Sequence, residues 1–448
     1  MPVAPGRSVR TAQQNTTIWS RISEDDFRKN LVALEELTNA VPVDVQVFPL
    51  ADEGSDKLRL PLVVEQHIAD DIAFLAAAQE GAQSVAAVCL EQHLKPECKL
   101  KIHVAAADLM DGRTRRFMME VCNLLKRASK VGSHDGEPEG ELFDRILEQH
   151  QFKILGRLRS EKWQKPRHLA ASHKKPLWQD FDSVIHRVQH VYPKKKEMAQ
   201  RKNVETRLRG LADWYEKFEN FTDGSHVLYL HPLVRFTYEF CKNSDVRGFA
   251  ARLDELRPTA QIGAALKCLR QLEKIGAYWR IAMDLIRYAV TYPHMFNAIE
   301  LIYLPPYASI PTSIAYESWA RTCHVHAEVQ LVVEYDLQKA HSDEVNPETI
   351  LPRIIGTSKY LCYLCYLFIK CHGRFVVPNT HGRLYDQWTV PDLAEYNDGT
   401  REHYAKILEE MNEIVCKQSG EELCWRIEPM TSRQNLLLGD LDAPGDGN

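Results

Sequence analysis

The stretch Ala298-Ile-Glu-Leu-Ile-Tyr-Leu-Pro305-Pro306 decides the fold class. It is a short apolar run closed by two prolines, too short for a buried helix and suited to a buried strand. Downstream, Ser318–Lys339 has helical spacing and Pro352-Arg-Ile-Ile-Gly356 reads as a short strand ended by glycine. Ser358–Lys370 then reads as a helix and Arg374–Val377 as another strand. Strands alternating with helices predict an α/β/α layer sandwich with a largely parallel sheet over residues 291–431.

Outward from that stretch, toward the N-terminus, helical periodicity dominates and predicts a mainly α-helical region. Ile22, Phe27, Leu31, Leu34 and Leu37 recur at helical spacing. Asp70–Gln92 is rich in alanine and reads as helix, as does Met110–Lys130 with Phe117, Met118, Val121, Leu124 and Leu125. Residues 18–130 thus form one helical region, and 131–142, acidic and glycine-rich, a linker. Residues 143–290 form a second helical region, while 1–17 and 432–448 are expected to be flexible.

A chain of 448 residues fits about two or three domains. With 44% hydrophobic and 26% charged residues, disordered and fibrous classes are excluded. The longest apolar run, Tyr360–Ile369, is about half of what a bilayer-spanning helix needs, so no membrane partner is expected. The polar first residues lack the apolar core of a secretory signal, and there are eleven cysteines. Together these predict reduced thiols and a cytoplasmic or nuclear location. In such a compartment a close cysteine pair suits a metal or catalytic site better than a disulfide.

One constellation carries that chemistry: Cys323-His-Val-His326-Ala-Glu328, then Ser358-Lys-Tyr-Leu-Cys362-Tyr-Leu-Cys365. His-x-Glu followed by Cys-x-x-Cys is the arrangement of zinc deaminases. Zinc takes nitrogen and thiolate ligands, and a catalytic site keeps three protein ligands with one position open. His326, Cys362 and Cys365 supply such a set. Cysteines three apart at a helix start share one face, and the positive helix end favours thiolates. Gly356-Thr-Ser-Lys359 is expected to be the turn and N-cap of that helix. Glu328 is the candidate proton shuttle between a zinc-bound water and the substrate. With eleven cysteines, chance supplies only about 0.3 such pairs.

The segment from about Ala298 to Pro391 resembles the cytidine deaminase-like superfamily, and within it the OTT-type deaminase-like branch, abundant in fungi. The branch's motifs stand here as Ile355-Gly-Thr-Ser-Lys359 before the cysteine pair and Thr380-His-Gly-Arg383 after it, followed by Trp388-Thr-Val-Pro391. Leu361 stands where the wider superfamily has a proline, which the branch often lacks. The resemblance implies a five-stranded sheet with helices on both faces and zinc on His326, Cys362 and Cys365. It also implies Glu328 as proton shuttle and hydrolytic deamination of an amino-bearing nucleobase, whether free, as a nucleotide or in nucleic acid.

Other readings stay open. Cys362 and Cys365 can be small core residues, with His326 a satisfied core histidine. Cys371, His372 and His381 can complete a closed four-ligand knuckle, provided that Cys362–Cys371 is not one helix. His381 can instead line the mouth of the active site and touch substrate. Cys323 and His324 suit packing and surface, and Asn297 opens the first strand of this part. A catalytically silent zinc-stabilised scaffold that binds nucleic acid or protein is the alternative to an enzyme.

Residues 157–209 hold fifteen Lys/Arg against five Asp/Glu, with Trp163, Trp178 and Tyr192 among them. Lys194, Lys195, Lys196, Arg201 and Lys202 are the candidate contacts to single-stranded nucleic acid, through phosphates and stacked bases. A solvated helical face is the competing reading.

Overall fold

The structure, a computed structural model, describes residues 17–43, 59–79, 84–94, 98–131, 137–165, 175–221, 226–257, 259–341, 348–376 and 379–425. Residues 1–16, linker residues 132–136 and the tail 432–448 lie outside the described residues. The chain forms two compact units. One comprises Met1–Ala77, Gly81–Met119 and Tyr292–Arg433, and the other chiefly Glu120–Thr291.

In chain order the first unit starts with α1 (Glu24–Leu37), α2 (Leu62–Ala76), β1 (Ala86–His93) and β2 (Lys99–Ala106). The unit boundary falls within α3 (Gly112–Val131). The second unit holds α4 (Glu137–Leu158), α5 (Phe181–Val191), α6 (Met198–Asn220), α7 (His226–Lys242), α8 (Ser244–Asp254) and α9 (Ala260–Thr291). The chain then returns to the first unit through α10 (Pro293–Phe296), β3 (Ile299–Tyr303), β4 (Ile310–Pro311) and β5 (Thr322–Cys323). It closes with α11 (Ala327–His341), β6 (Thr349–Ile350), β7 (Gly356–Thr357), α12 (Tyr363–His372) and α13 (Asp398–Ser419).

The main sheet has five strands in the order β3-β2-β1-β6, with β7 also paired to β1. Within this sheet, among the described residues, β2 and β3 run parallel, and β1 is antiparallel to β2, β6 and β7. The sheet is therefore mixed, not largely parallel as expected. The cause is local: β1 and β2 are joined by residues 94–98 alone, too short for a crossover, so they form a hairpin. Both strands belong to a stretch where the sequence reading has helix or no element. Asp70–Gln92 is not one helix: α2 ends at Ala76 and β1 begins at Ala86.

Alternation along β1 sorts its side chains onto two helical layers. Gln92 faces α2: its Nε2 donates to Glu65 Oε2 at 3.4 Å and its Oε1 accepts from the Leu60 N–H at 2.9 Å. Cys89 and its cross-strand partner His103 face the other way, where the His103 ring lies 5.1 Å from that of Tyr335 in α11. This makes the α/β/α sandwich, and a large core on the α11 side collects Phe27, Leu31 and Leu34 of α1 with Leu364, Phe368, Trp388, Tyr404 and Leu408. The unit thus draws on residues 17–119 as well as on 292–425, so the region expected to stand apart as helical supplies two of its strands.

The second unit is helical. Along α9, Leu269, Leu272, Ile275, Tyr278 and Ile286 are buried, and Trp279 meets Phe143 of α4 edge-on at 5.0 Å. Glu137 already belongs to α4, so the expected linker is shorter than 131–142. No helix among the described residues is long and apolar enough to cross a membrane.

Candidate metal centre and active site

Two helix starts bring the motif residues together. α11 begins at Ala327, not near Ser318, and its first turn is closed by the Gln330 N–H donating to the His326 carbonyl at 3.0 Å. His326 thus stands at the N-terminus of α11 with Glu328 in the first turn. The Gln330 side chain fixes that end to the sheet by donating to the carbonyls of Ala106 (3.1 Å) and Val325 (3.0 Å).

α12 begins at Tyr363, with Cys362 itself as N-cap. Its sulfur accepts the Cys365 N–H at 3.4 Å. The cap expected at Gly356-Thr-Ser-Lys359 is therefore misplaced. That segment packs against the sheet and α2 instead: Thr357 N–H donates to Asp70 Oδ1 at 2.7 Å, and Ser358 Oγ accepts the Ala86 N–H at 3.1 Å.

His326 Nδ1 lies 3.5 Å from Cys362 Sγ and 3.4 Å from Cys365 Sγ, and the three ligand atoms all fall within 4.8 Å of one another. Two donors at ordinary zinc–sulfur and zinc–nitrogen lengths around a tetrahedral ion stand about 3.6 Å apart. The donor set and its spacing fit such an ion with one position left open. Among the described residues no other group of three His, Cys, Asp or Glu side chains converges in this way. Cys365 Sγ also lies 3.5 Å from Glu328 Oε2, which puts the carboxyl at the edge of the cluster.

Burial raises the Cys362 thiol, but hydrogen bonds from Cys365 and the charge of His326 outweigh it and pull the thiol well below its usual range. Cys365 moves up, through burial and the neighbouring Cys362 charge, with the indole N–H of Trp388 acting in the opposite sense. Burial likewise raises the Glu328 carboxyl, against the pull of His326. Burial works against charge on His326, yet Cys362 more than compensates and raises its pKa. The neighbouring charges thus favour ionisation of Cys362, and a metal ion binding here would displace the protons that remain on the donors.

His381 sits beside the cluster through its own turn. The Thr380 hydroxyl donates to the Leu361 carbonyl at 2.8 Å, and the His381 N–H donates to the same carbonyl at 3.1 Å. Gly382 takes φ +73°, and its carbonyl accepts the Val41 N–H at 2.8 Å. A Cβ there would lie 2.3 Å from the Val41 oxygen, so only glycine fits. His381 Nδ1 accepts the Arg383 N–H at 3.0 Å, which leaves the ring proton on Nε2. Burial, with Arg383 and Lys359 nearby, pushes its pKa down to about 4, so the ring is neutral.

Tyr385, which the sequence reading did not single out, is 39% exposed with its ring 6.3 Å from His326 and 6.2 Å from His381. Its signal in sequence was position alone, four residues after His381.

The knuckle is excluded by geometry. Tyr363–His372 is one helix, and His372 Nε2 is bound to Asp336 Oδ2 at 2.9 Å. Cys323 is buried and accepts from the Arg28 guanidinium at 2.6 Å, while His324 is exposed. Asn297 is exposed at the end of α10. In the basic segment Lys194, Lys195, Lys196 and Lys202 are exposed, and Arg201 pairs with Glu205 at 3.0 Å. Tyr192 is buried, with the Arg252 guanidinium 4.8 Å from its ring centroid, so it is a packing contact rather than a stacking platform. All eleven cysteines are free thiols.

Comparison with known proteins agrees with this geometry. Comparison with curated proteins and with solved structures gives no match. A family model described as an OTT_1508-like deaminase matches residues 325–392, a span that opens one residue before His326 and includes Glu328, Cys362, Cys365 and His381. Residues 325–392 are therefore similar to the OTT_1508-like deaminases, a cytidine deaminase-like family, and they contain a cluster able to hold a metal ion.

Proposed function

We propose that this site is a zinc-dependent hydrolytic deaminase acting on an amino-bearing nucleobase, free, in a nucleotide or in nucleic acid. The observation that carries the reading is one nitrogen and two sulfur donors at ligand spacing, with a buried carboxyl 3.5 Å from one sulfur. His326, Cys362 and Cys365 would hold the ion. A zinc ion with three protein ligands lowers the pKa of water at its open position to about 7.

The rest falls to side chains of this chain. Glu328, starting as the carboxylate, takes a proton from the attacking water and passes it to the ring nitrogen; burial raises its pKa, which makes it the stronger base. The water oxygen bonds to the amine-bearing carbon, the carbon–nitrogen bond breaks, and the amine leaves as ammonia with protons relayed by the same carboxyl. Neutral His381 offers an Nε2–H to an acceptor on the substrate, and Tyr385 offers a ring face at the mouth. The buried Trp388 and Phe368 behind Cys365 keep that side of the site dry.

The test pairs metal content with ammonia release over nucleosides, nucleotides and single-stranded oligonucleotides. Wild type is expected to carry about one zinc equivalent and to release ammonia from at least one class. Glu328→Gln should keep the zinc and lose about 10²–10⁴ in rate. Zinc retained in full by both His326→Ala and Cys362→Ala would end the proposal.

A further inference from the structure

The outer face of α5 carries a second cluster of metal-ligating atoms. His186 and His190 are one helical turn apart and both exposed. Their Nε2 atoms lie 3.3 Å from each other, and the rings meet edge-on with centroids 4.9 Å apart. The opposite face of the helix is pinned by buried Phe181, Val184, Ile185, Val188 and Val191, so the two imidazoles sit on a fixed backbone.

Two imidazole nitrogens bound to one divalent ion at about 2.0–2.1 Å, opening between a right angle and a tetrahedral one, stand about 2.9–3.4 Å apart. The observed separation falls in that range without a change of rotamer. Gln189 can supply the orienting partner: its side-chain Nε2 lies 2.7 Å from His186 Nδ1, and a half-turn of the amide brings Oε1 there instead. With the amide oxygen turned to that nitrogen, it accepts an Nδ1–H and leaves the Nε2 lone pair of His186 free for a metal. The bond given up is long, Arg201 to Gln189 Oε1 at 3.4 Å. Asp182, a further turn toward the start of α5, is exposed and adds negative charge to an otherwise basic neighbourhood.

We propose that His186 and His190 form a surface site for a divalent transition-metal ion of the Ni²⁺, Cu²⁺ or Zn²⁺ kind, with water filling the remaining positions. Borderline ions that favour imidazole suit it; Ca²⁺ and Mg²⁺, which require oxygen ligands, do not. The site is independent of the deaminase reading, because it shares no residue with the His326 cluster.

The test is calorimetric titration of Ni²⁺ into the full, tag-free chain preloaded with one equivalent of zinc. Wild type should bind one further equivalent. His186→Asn and His190→Asn should each weaken it at least tenfold, and the double variant should do no worse than either alone, since chelation needs both rings. Both positions are exposed, so the variants should keep the wild-type melting temperature. Wild-type and double-variant titrations that superimpose would overturn the proposal, and so would equal binding of Mg²⁺.

Discussion

Cys362 has two duties in one turn, and they can be separated. Its sulfur caps α12, and with His326 and Cys365 it makes up the three candidate donors. Serine is a good cap and a poor ligand, whereas alanine is neither. Cys362→Ser is therefore expected to lose bound metal and keep the cap, and Cys362→Ala to lose both. In metal-free protein the alanine variant should be about 1 kcal/mol less stable than the serine variant by urea unfolding. Equal stabilities would show that the N–H···S contact contributes nothing.

Glu35 in α1 gives a second prediction at this scale. Burial and the nearby Asp386 carboxylate push its pKa up to about 7, although it accepts the Asp386 N–H at 3.3 Å. The folded chain keeps a proton here that the unfolded chain gives up from about pH 4.5, so stability falls as pH rises from there to about 7. Glu35→Gln removes that loss. It should stabilise the protein by about 1–2 kcal/mol at pH 8, allowing for partial exposure, and by almost nothing at pH 4. A gain of the same size at both pH values would rule this out. The pairing of His326 with Cys362 and Cys365 was legible because residue type and spacing carry it. Glu35 was not, since nothing near it in sequence announces Asp386.

At the scale of elements, legibility followed burial pattern. α9 shows a continuous helical periodicity and lies where the sequence places it. β1 is buried at seven of its eight positions, so it shows no alternation, and an apolar run of that kind is read equally well as part of a buried helix. β2 does alternate, Lys99-Leu-Lys-Ile-His-Val, and the signal was there to be used. β7 is two residues long and exists only because β1 lies beside it. Its Gly356 explains the Ile-Gly-Thr-Ser-Lys motif: a Cβ there would stand 2.3 Å from the backbone of Ala69 in α2. Gly356→Ala is thus expected to push α2 off the sheet and cost about 3 kcal/mol in urea unfolding. A loss under about 1 kcal/mol would mean that α2 moves freely there.

For the whole molecule, the two units divide what metal binding can stabilise. The donors come from the starts of α11 and α12, both in the first unit, while the second unit contains none of them. Calorimetric melting should therefore show two transitions, of which a strong chelator lowers only one. The loss corresponds to about 4 kcal/mol where free metal stands 1,000-fold above its Kd. His326→Ala should remove the chelator's effect, and an equal shift of both transitions would contradict the assignment to one unit. Sequence alone determined the helical character of residues 143–290, the α/β character of the C-terminal part and the candidate cluster of His326, Cys362, Cys365 and Glu328. Those features are written in local periodicity and in residue types that few other chemistries require. Tertiary structure alone decided that residues 86–106 lie in the same sheet as Ile299–Tyr303, that the sheet is mixed, and that Tyr385 and a neutral His381 stand at the cluster. Strand partners and desolvation depend on residues hundreds of positions away, and no local pattern records them.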